Sequence, residues 1–265
     1  MAIARIMVVL DPTLDAQPAF ERALGAATIT GASLHLYICV NDEFGTGGKE
    51  EIVAQYHKVL DTLANRAREK KISVICEVDW HEDWREHIVS AGKRCYADLI
   101  IKHSVDTSEA DRAKRITADW NLLRKTSCPV LMTKGQALWE DRRILAAVMD
   151  KPTDDKHEAL NEKVIGFAND FATSVESETH FVAAYKDEGE KPNVKELVVR
   201  CQVEANRIHV RQGEIDKVIG ETAREIEADL IVIGTAARSG IRATLVGNTS
   251  ERVLDQTDCD VLVLK

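Results

Sequence analysis

The segment "ADLIVIGT" (228–235) is an apolar run closed by a glycine, and the chain holds it twice: "ADLIIKHS" (97–104) stands 131 residues earlier. The same offset relates "GNTSERVLDQTDCDVLVLK" (247–265) to "ITADWNLLRKTSCPVLMTK" (116–134), so Leu254 falls on Leu123, Cys259 on Cys128 and Lys265 on Lys134. Two apolar strands resemble each other by chance; two separate elements sharing one offset do not. The starts match too, "RILAAVMD" (143–150) on "RIMVVLDP" (5–12) at an offset of 138. The chain therefore reads as two homologous halves, 1–134 and 142–265, joined by the linker "GQALWED" (135–141). From the matched starts to the matched ends the second is shorter by seven residues, a difference placed in its middle.

Each half alternates short β-branched runs with helical patterns. In the second half the runs are "RILAAVM" (143–149), "THFVAAY" (179–185), "NRIHV" (206–210), "DLIVI" (229–233) and "DVLVL" (260–264). Between them, 156–175, 194–205, 214–228 and 248–257 carry apolar residues at helical spacing. In 214–228 the stripe is Ile215, Val218, Ile219, Ala223 and Ile226. Strands apolar on both faces and separated by helices imply a parallel sheet covered on each side. The fold class is α/β: two tandem, open, doubly wound, five-stranded parallel sheets.

Composition narrows the function classes. The chain has 265 residues, 45% hydrophobic and 30% charged, with a formal net charge of -9. That balance is ordinary for a globular protein and argues against partners such as nucleic acid or an anionic membrane surface. No apolar run approaches the roughly 20 residues that span a bilayer, so a cytosolic protein is expected. Six cysteines without a C-x-x-C pair read as reduced, mostly buried thiols, and eight histidines without H-E-x-x-H give no metal site.

In an open parallel sheet ligands bind beyond the carboxyl ends of the strands, where strand order reverses. Gly234 follows the fourth strand of the second half, where a missing Cβ permits a sharp turn or a close ligand. The helix opening near Gly247, Asn248, Thr249 and Ser250 would present free N–H groups and a positive dipole end to an anion such as phosphate. The alternative is an ordinary helix start, Asn248 capping and Glu251 at the third helical position. Arg238 is a candidate to close over phosphates, and Tyr185 to line the crevice beside a base or to pack at its strand end. His103, at the corresponding edge of the first half, has no evident nucleophile partner.

The ending resembles the universal stress protein family, whose signature is G-x2-G-x9-G-[S/T] between the fourth strand and the last helix. Gly234 and Gly247 match its first and third glycines; Ala237 stands at the second, and Asn248 at the Ser/Thr. The likeness extends through "HVRQGEIDKVIGETAREIEADLIVIG" (209–234) and, over both halves, is nearest to the tandem E-type members. It implies an adenine nucleotide alpha hydrolase-like, Rossmann-like fold. It also implies ATP or another adenine nucleotide, with phosphates at Gly234, Ala237, Arg238, Gly247, Asn248, Thr249 and Ser250 and the base near Asp150 and Tyr185. The family's acidic residue after the first strand falls on Met149, with Asp150 next to it; in the first half it falls on Asp11. There His103, Asp106 and Ile116 replace the glycine-loop residues, so no nucleotide is expected in that half.

The resemblance further implies that "PVLM" (129–132) and "DVLVL" (260–264) meet as an intramolecular pseudo-twofold pair, with a homodimer of whole chains an open alternative. The expected function is a non-catalytic stress-response binding module for a small-molecule ligand. The alternatives are an apolar or nucleotide-conjugated lipid ligand, a scaffold with vestigial sites, and, less expected, a weak ATPase. Neither G-x-x-x-x-G-K-[S/T] nor G-x-S-x-G occurs, and no acid–base pair can be placed beside Gly247.

Overall fold

The computed structural model describes residues 3–104, 119–135, 143–152, 154–235 and 249–265. The chain divides into two compact units, Met1–Gln136 and Ala137–Lys265. Unit 1 runs β1 (Arg5–Val9), α1 (Pro18–Thr30), β2 (Ser33–Val40), α2 (Lys49–Glu69), β3 (Val74–Trp80), α3 (Trp84–Arg94), β4 (Leu99–His103), a helical segment α4 (119–125) and β5 (Val130–Thr133). Unit 2 runs β6 (Arg143–Ala147), α5 (Asp155–Val175), β7 (Glu178–Tyr185), α6 (Val194–Cys201), β8 (Ile208–Gln212), α7 (Ile215–Glu225), β9 (Leu230–Gly234), α8 (Thr249–Gln256) and β10 (Asp260–Leu264). Strand order in unit 1 is β3-β2-β1-β4-β5, every pair parallel. Unit 2 repeats it as β8-β7-β6-β9-β10, again all parallel.

The core explains the sequence pattern. Ile6, Met7 and Val8 of β1 and Ile100 and Ile101 of β4 are wholly buried, as central strands covered on both faces must be. Helix starts use local chemistry. Pro18 takes the first position of α1, Asp154 accepts from the backbone N–H groups of Lys156 and His157 at α5, and Asn193 accepts from Lys195 N at α6. No helix among the described residues is long and apolar enough to cross a membrane.

Two ties recur in both units. Asp98, just before β4, accepts from Arg5 N at 2.9 Å, and Asp229, just before β9, accepts from Arg143 N at 2.8 Å. The same two arginines donate through Nη1 to backbone carbonyls, Arg5 to Cys95 and Arg143 to Ile226. Left-handed backbone recurs as well. Lys71 (φ 62°) matches Gln202 (φ 57°), and Tyr96 (φ 53°) matches Glu227 (φ 51°), all at the offset of 131 and none a glycine.

The seven-residue difference contains two larger and opposite changes in helix length. α5 has 21 residues against 13 in α1, whereas α6 has 8 against 21 in α2. The helix expected over 194–205 accordingly ends at Cys201, with Gln202 turning the chain out of it.

β7 and β8 carry a histidine pair. His180 Nδ1 and His209 Nε2 lie 3.0 Å apart with the rings stacked at 5.2 Å, so one nitrogen donates and the other accepts. Burial lowers the pKa of both rings; Arg207 and Arg143 act the same way on His180, against Glu178, and Arg211 on His209, against Glu225. The folded state then binds fewer protons than the unfolded chain below about pH 6.5, and stability falls as pH drops through that range. Urea denaturation between about pH 5 and 8 is expected to show this decline, and His209→Leu to flatten it; parallel pH profiles for the two proteins would exclude the pair as its source.

Candidate functional site

In unit 2, β6 lies between β7 and β9, the place where strand order reverses. A cavity of about 280 Å³ opens there. Its floor is Ala147, Val148 and Met149 after β6, Val182 and Ala184 of β7, and Ile233, Gly234 and Thr235 of β9. Its walls are His157, Leu160, Asn161 and Val164 of α5, Ile215 and Ile219 of α7, and Thr249 and Ser250 at the first turn of α8. The lining is thus largely aliphatic and includes two hydroxyl-bearing residues at a helix N-terminus.

Three of the nine residues expected at the site line this cavity: Gly234, Thr249 and Ser250. Asp150 and Tyr185 are not among its lining residues. The Asp150 carbonyl accepts from Arg200 Nη1, and the Tyr185 hydroxyl faces Glu188 while Lys191 stands over its ring. Ala237, Arg238, Gly247 and Asn248 lie outside the described residues, as do Asp106 and Ile116.

Gly234 has a packing reason that the motif does not mention. A Cβ built there would stand 2.6 Å from Leu160 Cγ, so the glycine lets α5 seat on β9. The backbone beyond β6 is held by Asn161, 2% exposed, which accepts from Met149 N at 2.8 Å and donates to Met149 O at 3.0 Å. In unit 1 Gln17 treats Asp11 the same way, accepting from its N at 3.1 Å and donating to its O at 2.8 Å. Asn161 falls on Ala23 at the offset of 138, so the two clamps come from different positions, and sequence comparison alone missed both.

The corresponding place in unit 1 has a different chemistry. A cavity of about 370 Å³ is lined by residues after β1 and β2, by the start of α3 and by Lys102 and His103 of β4. Lys102 Nζ lies 2.7 Å from Asp119 Oδ1, and Ser104 Oγ donates to the other Asp119 oxygen. Lys102, Ser104 and Asp119 correspond to Ile233, Thr235 and Ser250. A carboxylate of the protein itself therefore stands in unit 1 where unit 2 has a serine. His103 is buried, its Nδ1 3.0 Å from Thr133 Oγ1.

The one titratable side chain among the described lining residues of the unit 2 cavity is His157, 2.8 Å from Asp154 at the start of α5. All six cysteines are thiols outside any disulfide; burial pushes Cys39 and Cys259 up to about 11 and Cys201 to about 12, leaving these three poor nucleophiles at neutral pH. Among the described residues no cluster of three or more His, Cys, Asp or Glu is arranged to hold a metal.

The model of the universal stress protein family matches residues 2–134 and again 144–265. Universal stress protein E of Escherichia coli K12 is 28% identical, over 98% of this chain and 93% of that one. Its homolog from Haemophilus influenzae is 24% identical, over 100% and 98%. Among solved structures, a functionally unknown protein from Pseudomonas aeruginosa PAO1 superposes with a TM-score of 0.84 at 30% identity, covering 100% of this chain and 93% of that one. A universal stress protein from Archaeoglobus fulgidus shares the fold at a TM-score of 0.76 and 18% identity.

The Gly234–Leu160 contact predicts a coupled pair. Gly234→Ala is expected to cost about 1–3 kcal/mol by overpacking. In the Leu160→Ala background, itself destabilised by about 2–5 kcal/mol, the same change should cost little. Additive losses in denaturant titrations would show that the glycine serves something other than this packing.

Proposed function

The chain belongs to the universal stress protein family, with two tandem domains, and from that premise we propose that unit 2 is a non-catalytic binding module for a ligand with an apolar or aromatic body and an anionic tip, an adenine nucleotide such as ATP. The carrying observation is that one cavity is lined both by Ala147, Val182 and Ala184 and by Thr249 and Ser250 at the start of α8. The first N–H groups of a helix have no intrahelical partner, and its dipole favours negative charge there. Hydroxyls at that turn add donors for phosphate oxygens. The aliphatic lining offers apolar contact to a base. Ala237, Arg238, Gly247 and Asn248 enter this reading as the rest of the phosphate loop, on the family's pattern alone.

A second reading is favoured by the wall itself. Met149 and Ile215, 37% and 43% exposed, stand at the rim, and no carboxylate lines the cavity among the described residues. An acyl chain with a small anionic head would use the same two kinds of lining. The two readings separate experimentally.

Thr249→Asp places a carboxylate at the α8 terminus, where it complements the dipole and leaves stability unchanged or raised by about 0.3–1 kcal/mol. Equilibrium binding of labelled ATP is expected to weaken about tenfold or more in this variant, which corresponds to about 1.4 kcal/mol. Unchanged ATP affinity, or no ATP binding by the parent at millimolar concentration, defeats the nucleotide reading. Extraction of a fatty acid or acyl conjugate with the purified parent would favour the second.

A further inference from the structure

The third helix of each unit lines that unit's cavity from matching positions, Trp84 and Ile88 of α3 in unit 1 and Ile215 and Ile219 of α7 in unit 2. The residue just past the preceding strand also matches. His81 N donates to Val40 O at 3.0 Å, as Gly213 N donates to Tyr185 O at 2.9 Å. What joins this residue to the helix differs between the units. In unit 2 a Cβ built on Gly213 would stand 3.0 Å from Val218 Cγ2, so the contact is close and aliphatic. In unit 1 His81 stacks on His87, which falls on Val218 at the offset of 131, with ring centroids 3.6 Å apart and planes at 22°. An aliphatic contact in one copy is a pair of imidazoles in the other.

The stack is tied to one protonation state. His81 Nδ1 accepts from Asp83 N at 3.0 Å, so that nitrogen carries no hydrogen of its own. Asp83 in turn opens α3, its Oδ1 accepting from Glu86 N at 3.5 Å. His87 Nδ1 is buried without a hydrogen-bond partner among the described residues and lies 3.6 Å from Asp79 Oδ2. That oxygen already accepts from the Tyr37 hydroxyl at 2.9 Å and from Arg94 at 2.6 Å. The other charged groups around the stack are engaged as well. Arg94 also holds Glu77, Lys125 and Asn121 of α4 hold Glu86, and Lys49 of α2 stands over the Trp80 ring. From β2 the Cys39 thiol meets the His81 backbone, and Glu82 lines the cavity.

We propose that the His81–His87 stack is a proton-sensitive latch on the wall of the unit 1 cavity, and that acidification releases the start of α3 with Trp84 and Ile88. A proton on His81 Nδ1 removes the acceptor for Asp83 N and unties the turn into the helix. The same proton sets a cation against the face of His87, and a second one on His87 makes both rings positive at stacking distance. Asp79 has a single charge, already shared with Arg94, and cannot answer two imidazolium rings. Imidazole is the side chain that gains charge between about pH 8 and 5. Unit 2 has Gly213 and Val218 at these positions, where nothing titrates. The proposal does not depend on the ligand of either unit.

Trp84 provides the readout. In the full chain labelled with fluorotryptophan, its fluorine resonance is the one lost in Trp84→Phe. The shift of that resonance between light and heavy water grows with solvent exposure. It is expected to rise between about pH 8 and 5 while circular dichroism stays constant. His81→Asn keeps an acceptor for Asp83 N and cannot titrate, and His87→Val installs the unit 2 residue; each should hold Trp84 at its alkaline value. If His87→Val fails to fold, His81→Asn decides the matter. His209→Leu should leave the rise intact, which separates it from the histidine pair of unit 2. The proposal is overturned by a Trp84 exposure that does not change with pH, by a rise that survives His81→Asn, by one that vanishes in His209→Leu, or by one that appears only together with loss of circular dichroism.

Discussion

The carboxylate of Asp229 holding the backbone N–H of Arg143, and that of Asp98 holding Arg5, fix where the first strand of each unit begins beside the fourth. Each aspartate also returns the contact with its own N–H, donating to the carbonyl of the same arginine at 2.9 Å. A parallel pair has no tight turn to set its register, so some other contact must do it. Once the starts are locked, the carboxyl ends of these two neighbours fall together, and the residues beyond them share one crevice. Charge-assisted hydrogen bonds of this kind are stronger than neutral ones, which suits a tie on which the placement of both cavities depends.

Both cavities show how one backbone can carry opposite chemistry. In unit 2 the mouth of α8 is bordered by Thr249 and Ser250, and nothing charged lines that end among the described residues. In unit 1 the position of Ser250 is held by Asp119, 2% exposed, with Lys102 against it. Burying two charges is costly, and the pair is tolerated because each has a further hydrogen bond, Asp119 from Ser104 and Lys102 to the His103 carbonyl. The glycine at 234 belongs to the frame as much as to the site, since α5 packs where its side chain would be.

Much of this was legible in the amino-acid order, for identifiable reasons. The strands could be read because they are apolar on both faces, and the duplication because "ADLI" and the final strand share one offset. The lengths of α5 and α6 could not, because a longer helix and a shorter one cancel to a small net difference. Ile215 belongs to the apolar stripe of α7 yet is 43% exposed, because it borders an opening that periodicity does not reveal. Asn161 and Gln17 perform the same clamp from different positions, so alignment of the halves hides them. The Lys102–Asp119 pair joins residues on either side of a long segment, and only the folded chain brings them together.

The four left-handed positions have a wider consequence. Lys71 and Gln202 bend the chain alike, as do Tyr96 and Glu227, though an ammonium, an amide, a phenol and a carboxylate have little in common. A glycine would adopt that bend with less strain, and neither copy has one there. The reversals therefore recur at matching positions whatever side chain occupies them. Paralogous domains of this architecture can diverge in side-chain identity at their bends while the bends themselves stay in place. The side chains at the bends can drift without the scaffold having to be reinvented.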